Sequence, residues 1–102
     1  MEEPEEKKIV LVIDRHGYVL ENVTALLEKS GYKVFGFLEE QEDLLRKVKT
    51  TIFDAILIRG GVEPHFRDEI KELVRSTKPD AKIVEHSGGP ATLVSDVNSA
   101  FN

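Results

Sequence analysis

Apolar residues along this chain fall into blocks of two kinds, unbroken runs and helically spaced stripes. Ile9-Val10-Leu11-Val12-Ile13 is a continuous aliphatic run. That is the pattern of a strand covered on both faces of a parallel sheet, and it stops at Asp14. The apolar positions then fall at Val19, Leu20, Val23, Leu26 and Leu27, one face of a helix. "SGY" at 30–32 closes that helix, with Gly31 suited to the left-handed position after the last turn. Lys33 to Phe37 is a short second strand, and Glu39 to Thr50 carries Leu44, Leu45 and Val48 at helical spacing. Ile52 to Ile58 is the third strand. Phe66, Ile70, Leu73 and Val74 mark a third helix, opened by Pro64 near its first turn. After the turn "KPD" at 78–80 come a fourth strand, Lys82 to His86, and the loop "SGGP" at 87–90. Pro90 begins a last helix whose stripe is Leu93, Val94, Val97, Ala100 and Phe101.

The order β-α-β-α-β-α-β-α, with short connections, predicts a parallel sheet with right-handed crossovers and helices on both faces, a three-layer αβα sandwich. Its 102 residues are enough for one core and too few for two. The domain is expected over 9–102. Residues 1–8, "MEEPEEKK", hold four Glu and a Pro and are expected to form a solvated, largely disordered arm.

Composition narrows the function classes. A net charge of -5 argues against nucleic acid as the main partner, because binding phosphate backbones needs clustered Lys and Arg. With no cysteine there is no disulfide framework and no thiolate metal site. No apolar stretch approaches the ~18–20 residues of a membrane span, and the start has no basic region followed by an apolar one. A cytoplasmic location is the expectation, with no membrane partner.

"KIVLVID", "LLEKSGYKV", "FDAILIRGGVEP" and "AKIVEHSG" together resemble the receiver domain of two-component response regulators, over roughly residues 7–89. The last helix is similar to that family's final helix. The resemblance implies a flavodoxin-like strand order, 2-1-3-4. In the family, strand 1 ends in two acids that hold Mg²⁺. Asp14 matches the first, and Arg15 stands in place of the second. The phosphate-accepting aspartate at the end of strand 3 is replaced by Arg59, while Pro64 and Ser87 match the family's proline and its phosphorylation-sensing hydroxyl. The fifth strand, with its Lys-Pro, has no counterpart.

The residue chemistry points the same way independently. Only a carboxylate gives an acyl phosphate, Mg²⁺ needs clustered oxygens, and a guanidinium stays protonated. The expectation is therefore a shortened pseudo-receiver with no catalysis, no phosphorylation, no metal and no cofactor. It would act in signalling through protein–protein contact. Losing the fifth strand leaves strand 4 as a sheet edge beside apolar surface, which predicts a homodimer or an obligate heteropartner through strand 4 and the last helix.

Asp14 and Arg59 face each other if strands 1 and 3 are neighbours, and a guanidinium suits carboxylate pairing. The plainer alternative is that Arg59 points to solvent beside Gly60. His16, His65 and His86 lie at one rim with Asp14 and Glu63, but no ligand spacing groups them, so they read as loop residues. "SGGP" opens a helix where free N–H groups favour anions, and no G-x-G-x-x-G follows strand 1. "DRH" at 14–16 is similar to the Asp-x-His motif of cobalamin-binding domains. That family's next glycine is Val19 here, and its Ser-x-Leu is Arg59-Gly60-Gly61. The alternative function is a small-ligand, anion or cobalamin-like binding domain. Its rim would consist of Asp14, His16, Arg59, His65 and Ser87-Gly88-Gly89.

Overall fold

The computed structural model describes residues 7–102. Most of the expected acidic arm, residues 1–6, lies outside them. Lys8 already takes part in the fold, its carbonyl accepting the Lys33 N–H at 3.0 Å. The elements are β1 (Ile9–Asp14), α1 (Gly17–Lys29), β2 (Lys33–Leu38), α2 (Leu44–Thr50), β3 (Ala55–Arg59), α3 (Pro64–Thr77), β4 (Lys82–His86) and α4 (Pro90–Ala100). The four strands form one parallel sheet in the order β2-β1-β3-β4.

Side chains alternate across the sheet with the period of two that a strand imposes. Leu11, Ile13, Ile56 and Ile58 face α2 and α3, where they meet Leu44, Val48, Ile70 and Val74. Val10, Val12, Leu57 and Val84 face α1 and α4, where they meet Val23, Leu27, Leu93 and Val97. Both faces are therefore covered, which is why β1 and β3 read as uninterrupted apolar runs. No helix among the described residues is long and apolar enough to cross a membrane.

Gly31 performs the expected role. At φ 101° it lets Tyr32 N–H reach the Leu27 carbonyl at 3.1 Å, while its own N–H bonds Glu28 at 3.0 Å. This pairing of the last carbonyls ends α1 and sends the chain into β2. Tyr32 also stacks on Phe101, with ring centroids 5.9 Å apart, and donates its hydroxyl to Asn98 Oδ1, tying α4 to the start of β2. Burial holds that phenol's pKa above its ordinary value.

Two boundaries differ from the sequence pattern. The helix expected from Glu39 starts only at Leu44. The Glu39 N–H is taken by the Asp14 carbonyl at 2.9 Å, which prolongs the β1–β2 ladder past Leu38, and Glu39 to Asp43 become turns. The strand expected from Ile52 starts at Ala55. Ile52 stands in solvent, and the Asp54 carboxylate accepts the Ile9 N–H at 2.8 Å, pinning the entry to β3.

The apolar surface expected beside β4 is not found among the described residues. Val84 lies beneath Leu93 and Val97, because α4 folds back over the sheet and covers that face. The large apolar side chains that do stand in solvent among the described residues are Tyr18, Phe35, Leu45 and Ile52, none of them on β4 or α4.

Candidate functional site

Asp14, Arg59 and His86 are the last residues of β1, β3 and β4, three strands that lie side by side. The register makes Arg59 and His86 direct partners and continues the Ile13–Ile58 pair towards Asp14 and Arg59. Their side chains meet at the rim that an open α/β sheet reserves for its ligands.

Asp14 is only 3% exposed. Its Oδ1 accepts the N–H groups of Arg15 at 2.6 Å and His16 at 3.2 Å, fixing the turn into α1, and its Oδ2 accepts Arg59 Nε at 3.3 Å. The other end of the guanidinium reaches across β4. Arg59 Nη1 donates to His86 Nδ1 at 2.5 Å and to the His86 carbonyl at 3.2 Å. His86 is 5% exposed, and its Nε2 lies 2.8 Å from Thr92 Oγ1 and 3.7 Å from Asp96 Oδ2 on α4. One side chain thus links three strands and, through His86, the last helix.

The arrangement selects a tautomer. Arginine only donates, so His86 Nδ1 must accept, and the ring proton sits on Nε2 facing Thr92. In a two-bond ¹⁵N–¹H correlation spectrum His86 is expected to show an unprotonated Nδ1 and a protonated Nε2. The reverse pattern would mean that Arg59 does not donate to the ring.

Other residues singled out from the sequence are distributed differently. The alternative of Arg59 in solvent is ruled out by its contacts with Asp14 and His86. His86 ends β4 as the strand pattern expects, and its reading as a loop residue is corrected: it is buried, because its ring fills the space between Arg59 and Thr92. Arg15 contributes its backbone N–H to Asp14 while its side chain lines an open cleft. Ser87 is exposed and packs against the backbone of Gly60 rather than joining the Asp14–Arg59 pair. His65 is paired with Glu69 on its own helix at 3.3 Å. No group of three or more His, Asp or Glu side chains among the described residues is placed to hold a metal ion.

Two hollows border the rim. A cleft of about 790 Å³ lies between the start of α1, the end of β2 and the start of α3, lined by Arg15, His16, Tyr18, Glu39, Glu63 and His65 among others. A smaller one, about 190 Å³, lies between α1 and the start of α4, with Gly88, Gly89 and Arg59 at its polar end and Val19, Val23, Leu26 and Leu93 along its walls. The "SGGP" loop and Arg59 thus border one hollow, while His16 and His65 border the other.

Arg67 belongs to the site and was not read from the sequence. Its Nη2 lies 3.3, 3.1 and 3.0 Å from the carbonyls of Arg59, Gly60 and Val62, so it clamps the loop leaving β3. Its Nη1 pairs with Glu85 at 3.6 Å. The available signal was an arginine within the first turn and a half of a helix that follows a two-glycine loop. Such a loop leaves several carbonyls without helical or strand partners.

No family model matches the chain, and no curated protein matches it. Among solved structures it is similar to a de novo designed Rossmann fold protein, with 13% identity over 92% of this chain and 96% of that one, and a TM-score of 0.64. At that identity the likeness shows the fold. The chain has a Rossmann-like α/β fold in the flavodoxin-like order 2-1-3-4.

Proposed function

We propose that this chain is a non-catalytic, receiver-like signalling module that works by contact with another protein. The observation that carries the reading is the occupant of the β3 terminus. Arg59 stands where a receiver has its phosphate acceptor, and its guanidinium bonds the one carboxylate at the end of β1. A cation fixed in the protein replaces the bound metal. The end of β3 therefore offers no carboxylate to accept a phosphoryl group, and among the described residues no group of three or more His, Asp or Glu side chains is placed to hold Mg²⁺. The edge of β4 offers unpaired backbone groups to a partner strand.

Incubation with Mg²⁺ and a small-molecule phosphodonor is expected to leave the intact mass unchanged. A hydroxylamine-labile adduct, and hence an acyl phosphate, would overturn the reading. The 790 Å³ cleft favours a second reading, a small-ligand domain that uses His16, His65 and their neighbours. Titration with Zn²⁺, phosphate and cobalamin, followed by the shift in thermal midpoint, separates the two. A saturable stabilisation by any of these supports the ligand domain, and no shift with any of them supports the signalling module.

A further inference from the structure

The sheet face opposite α1 and α4 carries α2 and α3 side by side, with a groove of about 580 Å³ between them. Its floor is apolar, formed by Leu45, which is 37% exposed, and the partly buried Leu73. Its two walls carry opposite charge. Arg46 and Lys49 rise from α2, and Glu69 and Glu72 from α3, all exposed. Among the described residues no ion pair spans the groove. Glu69 pairs only along its own helix, with His65.

The topology determines what such a surface fits. Each of the two helices connects one parallel strand to the next, so both run against the strands and parallel to each other. A two-fold axis along the groove would lay α2 of a second copy over α3 of the first, and α3 over α2. Each basic wall then meets an acidic wall, twice, and the two Leu45–Leu73 floors close on each other. An axis across the helices would instead set each basic wall on its twin. The pattern is self-complementary in the first arrangement alone, as an isologous interface requires.

We infer that this groove is a homodimer interface in which the basic wall of α2 pairs with the acidic wall of α3 of a second copy. Exposed charge pairs are individually weak and screened by salt, so the dimer is reversible and salt-sensitive. The surface lies away from the rim, so its test and that of the signalling reading fail separately.

Sedimentation equilibrium at low ionic strength is expected to show a monomer–dimer equilibrium, with association roughly tenfold or more weaker at about 0.5 M salt. Reversing the basic wall (Arg46→Glu with Lys49→Glu) or the acidic wall (Glu69→Lys with Glu72→Lys) should leave each variant monomeric. Mixed in equal amounts, the two variants should dimerise again, because the acidic walls of one then face the basic walls of the other, reversed on reversed and unreversed on unreversed. Leu45→Ser should weaken association without altering charge. Circular dichroism of each variant checks that these surface substitutions leave the fold intact. Three outcomes would overturn the inference. They are a wild-type monomer at all concentrations, a dimer indifferent to both reversals, and reversed variants that stay monomeric when mixed.

Discussion

Replacing Arg59 by alanine is expected to lower the free energy of unfolding by about 3 kcal/mol, the cost of leaving one member of a buried ion pair alone. The pair is well shielded, since the Arg59 side chain is 15% exposed and Asp14 almost wholly buried. Without the guanidinium, Asp14 Oδ2 loses its charged donor, although Oδ1 keeps the Arg15 and His16 N–H groups. His86 Nδ1 becomes a second buried acceptor without a donor. A solvent-exposed pair would contribute only about 0–1 kcal/mol, so the size of the effect separates the two cases. Arg59→Lys should recover only part of the loss, because one ammonium cannot fork to both Asp14 and His86 as a planar guanidinium does. Urea denaturation measures both variants. An Arg59→Ala midpoint equal to that of the wild type would show that the guanidinium does not hold the rim together.

Gly60→Ala should cost about 2 kcal/mol, or roughly 10 °C in thermal midpoint for a domain of this size. Its backbone is not in the left-handed region, so the demand on this glycine is space. A Cβ there would lie 2.5 Å from Ser87 Cβ and 2.9 Å from Ser87 Cα. The first of these atoms is a short side-chain root and the second is backbone, so neither can swing away. The Gly60 N–H also bonds the His86 carbonyl at 2.9 Å, so pushing the two strands apart strains that bond beside the Arg59–His86 contact. The neighbouring position is the control. At Gly61 an added Cβ would meet only Arg15 Cβ at 3.5 Å, an ordinary contact, and Gly61→Ala should stay within about 0.5 kcal/mol of the wild type. Equal midpoints for the two variants would mean that the close approach at Gly60 is not needed.

The order of elements follows from local periodicity. Ile9 to Ile13 and Ala55 to Ile58 can only be strands buried on both faces, and Val23, Leu27, Ile70, Val74, Leu93 and Val97 recur at the spacing of helices laid on them. Gly31 announces the end of α1 because one residue type takes its positive φ cheaply. The Asp14–Arg59 pair was within reach for a related reason. Once β1 and β3 are neighbours, their terminal residues must stand together, and opposite charges then have a short way to go. Other features depended on where the chain returns to itself. The start of α2 was decided by the Asp14 carbonyl taking the Glu39 N–H, a bond between residues far apart in sequence. His86 became the second partner of Arg59 through the β3–β4 register, and its ring was closed in by Thr92 from a helix that the sequence places after it. Arg67 found three loop carbonyls because its guanidinium reaches back from α3 over the loop that leaves β3. The apolar cover of β4 was likewise settled by α4 folding back over Val84. Periodicity acts between residues a few positions apart and is written in their order. Register, helix docking and side-chain reach act across the assembled core, and many sequences with the same pattern would satisfy them differently.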